Sequence, residues 1–296
     1  MRFPRSVSVA LCMVVIFSLS SDGWSARHSP KGSLKRGLKK SYKISARSAI
    51  LLDTTRQRQL YAKNIRKKVQ PASTTKVMTA LLVLERLPLD QIVTVSSRAN
   101  NIQPSKLHLR SGEQYKVSDL LYAILLNSAN DASIALAEAV AGSEEKFVAL
   151  MNRRARQLGA HHTKFANSTG LPAPKVPLGP APKGRPGPQK RISQYTTAYD
   201  MALIFRKALG HPFFKKTVGL RYKTIYSADG RKILLKNHNK LLFTDWGKNI
   251  HGKTGYTKAA QACFVGYTTK NGKIWIMALF GCSRRWDDIR YLVKEN

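Results

Sequence analysis

The chain has 296 residues, 43% of them apolar, enough to bury a sizeable core in one large domain or two intertwined ones. Its 51 Lys and Arg against 16 Asp and Glu give a formal charge of +35, so its surroundings are expected to be anionic: a nucleic acid, or a bacterial envelope rich in phosphate and carboxylate. Seven histidines and three cysteines show no zinc-type spacing, which argues against a metal site.

Arg2 and Arg5 precede an apolar stretch from Val7 to Leu19, followed by small and polar residues up to Ala26. This is the pattern of a secretory signal peptide, residues 1–26, with cleavage expected near Ser25 or Ala26. The apolar stretch is too short to span a bilayer as a retained anchor. Cys12 would leave with it. Export removes nucleic acid from the partner classes and leaves an exported protein of the periplasm or the envelope exterior. In that oxidising compartment Cys263 and Cys282 could be bridged or free, and both readings stand.

Residues 27–47 carry eight Lys or Arg and no acid, with Gly, Ser and Pro interspersed, and read as a basic flexible arm. Ser48 to Asp53 and Gln59 to Ala62 read as a β-hairpin around a polar turn. Next comes Pro71-Ala72-Ser73-Thr74-Thr75-Lys76 and an apolar run, with no Gly or Pro between residues 72 and 87. That predicts a helix buried nearly all round, ended by Pro88. Ser73 and Lys76 are three residues apart and share a face. Burial would lower the lysine pKa towards a usable base, and a hydroxyl beside a base at a helix N-terminus is the arrangement of an activated serine. Taken alone, the motif is weak, and a helix cap followed by a solvated lysine is the better reading.

A short strand is expected at Ile92 to Val95. A helix capped by Ser118-Asp119 is expected from Leu120 to Leu126, and another from Asp131 to Ala141. Ser128-Ala129-Asn130 falls on the junction between them, where side chains can face a cleft. A third helix opens at Ser143-Glu144-Glu145 and closes at Gly159. Residues 161–172 read as a loop, and 171–191, rich in Pro, Gly and Lys, as irregular. Thr197 to Asp200 opens a helix that ends near Gly210. Phe213 to Ser227 and Arg231 to Leu235 are strand candidates. Lys253-Thr254-Gly255-Tyr256-Thr257 reads as a strand edge, Ala262 to Thr269 and Lys273 to Phe280 as a hairpin about Asn271-Gly272, and Trp286 to Val293 as a closing helix. Strands early, helices in the middle and strands late give an α+β chain with an inserted helical region.

S-x-x-K, a Ser-x-Asn element and K-T-G in this order are the signature of β-lactamases and penicillin-binding proteins. With PASTTKVMTALL, LLNSANDASIALAE, the N-S-x-G-L segment at 167–171, TTAYD, the segment Asn237 to Leu242 and GKTGYT, the chain resembles the D-alanyl-D-alanine carboxypeptidases among the low-molecular-mass penicillin-binding proteins. The resemblance runs over about residues 45–285. It implies a β-lactamase-like fold: an antiparallel sheet flanked by helices with an inserted all-helical subdomain, about 96–195, within a D,D-peptidase domain at 48–296.

The resemblance also implies roles. Ser73 attacks the penultimate D-alanine carbonyl, Lys76 takes its proton, and Ser128 relays a proton to the leaving amine. Asn130 holds the substrate amide, Lys253 and Thr254 bind the terminal carboxylate, Gly255 and Tyr256 also bind substrate, and the N–H groups of Ser73 and Tyr256 form the oxyanion hole. Peptidoglycan stem peptides are the implied substrate, penicillin an acylating inhibitor, anionic envelope polymers partners by charge, and no metal or cofactor is needed. Many relatives carry a further β domain and an amphipathic membrane anchor; without them the mature chain is expected to be soluble, or held by charge, with no membrane span. Gln261 stands where glycine is common.

Three rival readings compete with the carboxypeptidase. A class A β-lactamase needs a carboxylate before K-T-G, and residues 146–199 contain no Asp or Glu. A D,D-endopeptidase cutting cross-links uses the same residues. A non-catalytic wall-binding module fits the charge but leaves the intact motifs without a purpose.

Overall fold

The computed structural model describes residues 42–56, 58–173, 175–177, 187, 189–191, 193–247 and 249–296. The signal sequence, the arm up to Ser41 and most of the Pro/Lys/Gly stretch lie outside the described residues.

The framework is a five-stranded antiparallel sheet. In chain order its strands are β1 (Ser48–Asp53) and β2 (Arg58–Lys63), and three later ones at His251–Thr257, Gln261–Lys270 and Lys273–Cys282. Between them come α1 (Lys76–Leu84), β3 (Ile92–Thr94), α2 (Ser97–Asn100), β4 (Gln114–Lys116), α3 (Val117–Tyr122), α4 (Asn130–Ala141) and α5 (Glu144–Gln157). Then follow β5 (Lys175–Pro177), β6 (Gln189–Arg191), α6 (Ala198–Leu209), α7 (Pro212–Thr217), β7 (Tyr222–Tyr226) and β8 (Lys232–Lys236). The chain then returns to the sheet with β9 (His251–Thr257), β10 (Gln261–Lys270) and β11 (Lys273–Cys282), and α8 (Arg285–Glu295) closes it. The spatial order is β2-β1-β11-β10-β9, which leaves the K-T-G strand at an edge.

Side chains alternate across the strands, so each strand feeds two apolar layers. Ile50, Ile276, Ala278 and Val265 join the layer that holds α1, α4 and α6, whereas Ala49, Leu51, Met277 and Leu279 face Ile289 and Leu292 of α8. Both faces are covered, and every residue of β1 is buried. The β10–β11 turn has positive φ at Asn271 (51°) and Gly272 (71°), the conformation an Asn-Gly hairpin adopts. The strand order and the two covered faces are the α+β architecture expected. Among the described residues no helix is long and apolar enough to cross a membrane. No group of three or more His, Cys, Asp or Glu among them could hold a metal ion.

Several local expectations change. Phe213 to Thr217 lies in α7, not a strand: Pro212 pre-sets the first turn, Lys215 and Lys216 complement the last, and Phe214 is fully buried. α3 begins at Val117, so Ser118 and Asp119 sit inside its first turn, and the chain from Ala123 to Asn127 winds as a wider π turn. α1 ends at Leu84, ahead of Pro88. Tyr42 to Arg47 is docked, which moves the arm's boundary earlier. Asp288 accepts hydrogen bonds from the Tyr42 hydroxyl, the Ser45 amide and hydroxyl, and the Ala46 amide. Cys263 on β10 and Cys282 on the adjacent β11 are free and buried in opposite layers, so the two thiols lie on different faces of the sheet.

Candidate active site

A tight 3-10 turn, Ala72–Thr75, delivers the chain into α1. From Pro71 to Val83 every residue is buried except Ser73, which is partly exposed. The turn places Ala72 at φ 47°, a left-handed conformation that is costly for any residue with a Cβ. Gly170 holds it there from outside. A Cβ on Gly170, itself at φ 83°, would fall 1.8 Å from the Ala72 carbonyl oxygen, so only glycine permits this approach.

Lys76 is fully buried, and its Nζ has three neighbours. Asn130 Oδ1 and the Thr169 carbonyl each lie at 2.7 Å, and Ser73 Oγ at 3.4 Å. Burial pushes the ammonium pKa well below its ordinary value, and the charge of Lys253 adds to the effect. Nζ therefore has three oxygen neighbours, and once it has lost a proton two N–H groups can serve the 2.7 Å acceptors while the lone pair turns to the serine hydroxyl.

Both acceptors are fixed from behind. Asn130 donates from Nδ2 to Gln103 O and from its amide to Ser105 O. Glu144 Oε1 accepts from the Ser168 amide and hydroxyl, and Asn167 Oδ1 accepts from Thr169 Oγ1 and the Gly170 amide. Sequence reasoning missed Thr169 and Glu144. The first acts through a backbone carbonyl that no residue type advertises, and the second also suits a helix first turn.

The opposite wall is β9. Lys253 is buried, and its Nζ donates to Thr254 O at 3.0 Å. Burial, then the charge of Arg285, pushes its pKa down to about 7. Arg285, which the sequence reading left out, donates from Nη1 to Gly255 O (3.1 Å) and Cys263 O (2.9 Å). The available signal was a cation at the first residue of a helix, where the dipole opposes it. His238 donates its backbone N–H to Leu126 O; burial first, then Lys253, Lys76 and Arg285, pushes its imidazole pKa down to about 4.

Gly255 brings the two walls together. A Cβ there would stand 3.0 Å from the Ser73 amide and 3.1 Å from Ala72 Cβ, so the missing side chain lets the strand lie against the Ser73 turn. Tyr256 follows with its ring 65% exposed at the rim, while Thr254 is nearly buried. Ser128 takes φ 64° at the end of the π turn, with its side chain nearly buried two residues before Asn130. Gln261 sits at φ 57° with Nε2 donating to Lys258 O, so this position needs the left-handed conformation glycine adopts freely.

A family model described as D-alanyl-D-alanine carboxypeptidase matches residues 35–283. The chain belongs to that family. As such it is 34% identical over 244 residues to the D-alanyl-D-alanine carboxypeptidase DacF of Bacillus subtilis, covering 80% of this chain and 58% of that protein. It is 30% identical over 264 residues to a D-alanyl-D-alanine endopeptidase of Pseudomonas aeruginosa, covering 88% and 78% respectively. The crystal structure of a D-alanyl-D-alanine carboxypeptidase from Mycobacterium tuberculosis superposes with a TM-score of 0.75 at 28% identity, covering 90% of this chain and 95% of the other. This family member spans about three fifths of the length of the first curated relatives it matches.

Proposed function

We propose that the chain is a serine D-alanyl-D-alanine carboxypeptidase that removes the terminal D-alanine of peptidoglycan stem peptides through an acyl-enzyme. One observation carries the reading: Lys76 Nζ, held by two acceptors at 2.7 Å, has Ser73 Oγ as its third neighbour at 3.4 Å. The lone pair takes the hydroxyl proton as Ser73 Oγ bonds to the carbonyl carbon. The oxyanion lies where β9 meets the Ser73 turn, within reach of the N–H groups of Ser73 and Tyr256. Ser128 hands the proton to the amide nitrogen as the C–N bond breaks and D-alanine leaves. Water then hydrolyses the ester. Lys253, Thr254 and Arg285 gather cationic and hydroxyl groups for the terminal carboxylate, and Asn130 steadies both Lys76 and the substrate amide.

β-Lactams acylate the same serine, and deacylation is slow. The two carboxylates whose charge reaches Lys76, Asp131 and Glu144, are both engaged. Asp131 accepts from the Leu107, Leu109 and Ala132 amides, and Glu144 from Ser168 and Arg98. Neither is free to activate water. Export to the envelope and association with anionic wall polymer follow from the N-terminal pattern and the +35 charge. A second reading, cleavage of cross-links, is favoured by an open pocket of about 670 Å³ beside Asn127 and His238, roomier than one D-alanine needs.

Intact-mass analysis after incubation with penicillin tests the proposal. A stable adduct on the native chain, absent from Ser73→Ala, is expected. Rapid drug loss without an adduct would make it a β-lactamase. Intact drug without an adduct would leave only a binding module.

A further inference from the structure

Large apolar side chains left in solvent fall mostly in one stretch of the chain. Of the eight among the described residues, six lie between Tyr222 and Tyr256. Tyr222 (49% exposed), Tyr226 (53%) and Leu234 (63%) stand on the outer face of the β7–β8 hairpin. The register sets Tyr222 opposite Lys236, Thr224 opposite Leu234, and Tyr226 opposite Lys232. The hairpin's other face buries Ile225 and Leu235 in the core. The outer face is thus a flat alternation of rings, one aliphatic group and lysines.

The platform is rigidly mounted. Arg231, just before β8, donates from Nη1 to both oxygens of the nearly buried Glu113 at 2.8 and 2.9 Å, and the Ala228 amide donates to Gln114 O. It also runs into the candidate active site. Tyr222 meets Phe243 edge-on with ring centroids 5.5 Å apart, and Lys236 lies over both rings. Lys236 and Phe243 line the 670 Å³ pocket with Lys240, His238 and Asn127, the residue before Ser128. From Tyr222 to Phe243 the chain carries five Lys or Arg and one acid, Asp229, which accepts a hydrogen bond from Ser227 at the hairpin tip.

We propose that this face binds the glycan strand carrying the stem peptide that enters the cleft; the inference rests on the peptidase reading above. The C–H-rich faces of sugar rings lie on Tyr222 and Tyr226, which a strand's rise sets about 13 Å apart. That span exceeds one sugar, so an oligosaccharide is required to touch both. Lys232 and Lys236 face the carboxylates of the peptides borne by the same strand. Charge alone would suit any polyanion, but a polyol-phosphate chain has no flat face to offer the rings. Exposed rings on a single rigid face, continuous with a cleft, mark a recognition surface.

The test uses Tyr226→Ala/Leu234→Ser, two side chains outside the pocket, and separately Lys232→Glu. Binding to purified sacculi stripped of other anionic polymers is measured in a Ser73→Ala background. Hydrolysis of a soluble acyl-D-Ala-D-Ala peptide and of sacculi is measured with Ser73 intact. The double variant is expected to lose about tenfold in sacculus affinity and in rate on sacculi, with peptide kcat/KM within about twofold of the parent. Lys232→Glu weakens binding to peptide-bearing sacculi more than to bare glycan. Unchanged binding, or equal losses on peptide and polymer, overturns the proposal. So does retention that requires a phosphate polymer, or a dimer that the double variant abolishes. If the native chain neither cleaves the peptide nor takes up penicillin, yet sacculus binding still falls in the double variant, the peptidase reading fails and the glycan surface stands.

Discussion

The two walls of the cleft differ in how complete they are. On the α1 wall each acceptor of Lys76 is held by further hydrogen bonds, and a glycine admits the backbone that needs to come close. On the β9 wall burial first, and then neighbouring positive charge, lowers the proton affinity of Lys253 (beside Arg285) and of His238 (beside Lys253, Lys76 and Arg285). Large rings beside them stay in water. The first wall is finished without a ligand, whereas the second holds its full positive charge more readily when an anion arrives. Chemistry has been assigned to the finished wall and recognition to the unfinished one.

The sharpest way to break that division is Lys76→Met. It keeps the volume and removes the base, so penicillin acylation should fall by about 10⁴-fold or more, read by adduct formation. The fold should persist with a loss of about 1–3 kcal/mol, because Asn130 Oδ1 and Thr169 O lose their buried donor. Unfolding of this variant would mean that the lysine braces the wall rather than reacts.

Gly170→Ala attacks the same wall through packing. A Cβ 1.8 Å from Ala72 O, at φ 83°, should cost about 3 kcal/mol in denaturant unfolding and take acylation with it. Full activity at unchanged stability would contradict the role given to Gly170.

The β9 wall answers to pH. With the Lys253 pKa lowered to about 7, peptide kcat/KM should decline as pH rises above about 7, because the free enzyme loses the cation proposed to meet the carboxylate. Bound carboxylate favours the charged form, so kcat at saturation should persist to higher pH. Stability moves the other way. Above about 7 the native lysine is deprotonated while the unfolded one still holds its proton, so Tm should climb as pH rises from there towards the ordinary lysine value. Lys253→Met should lack that part of the slope, as calorimetry at pH 6.5 and 9 would show.

The smallest effect belongs to the turn behind β9. Gln261→Gly removes left-handed strain and one side-chain hydrogen bond, for a gain of up to ~1 kcal/mol in unfolding free energy with activity unchanged.

Much of this architecture was legible because its chemistry is written in side chains at short spacing. The Ser73–Lys76 pair, Asn130 and the Lys253-Thr254-Gly255 strand announce themselves by residue type. The strands showed as runs of apolar residues, since both faces of the sheet are covered. Other parts rest on tertiary placement and left little trace. The Thr169 carbonyl is a main-chain atom. Arg285 reaches the site by folding back from the last helix. The Phe-Phe pair of α7 is apolar enough for a strand, and Pro212 with one buried ring decides it as a helix. Tyr42 to Arg47 resembled a solvated arm because its acceptor, Asp288, lies more than two hundred residues away.

That last contact has a mechanical meaning. The start of β1 and the end of β11 lie at the same end of the sheet's centre, with Ser48 opposite Phe280. A force drawing Tyr42 away from α8 would first load the Asp288 clasp. It would then open the β1–β11 ladder rung by rung, as a zipper opens, instead of shearing all rungs together. A domain built this way yields at low tension when Tyr42 and α8 are drawn apart, so it withstands load best when held by its face.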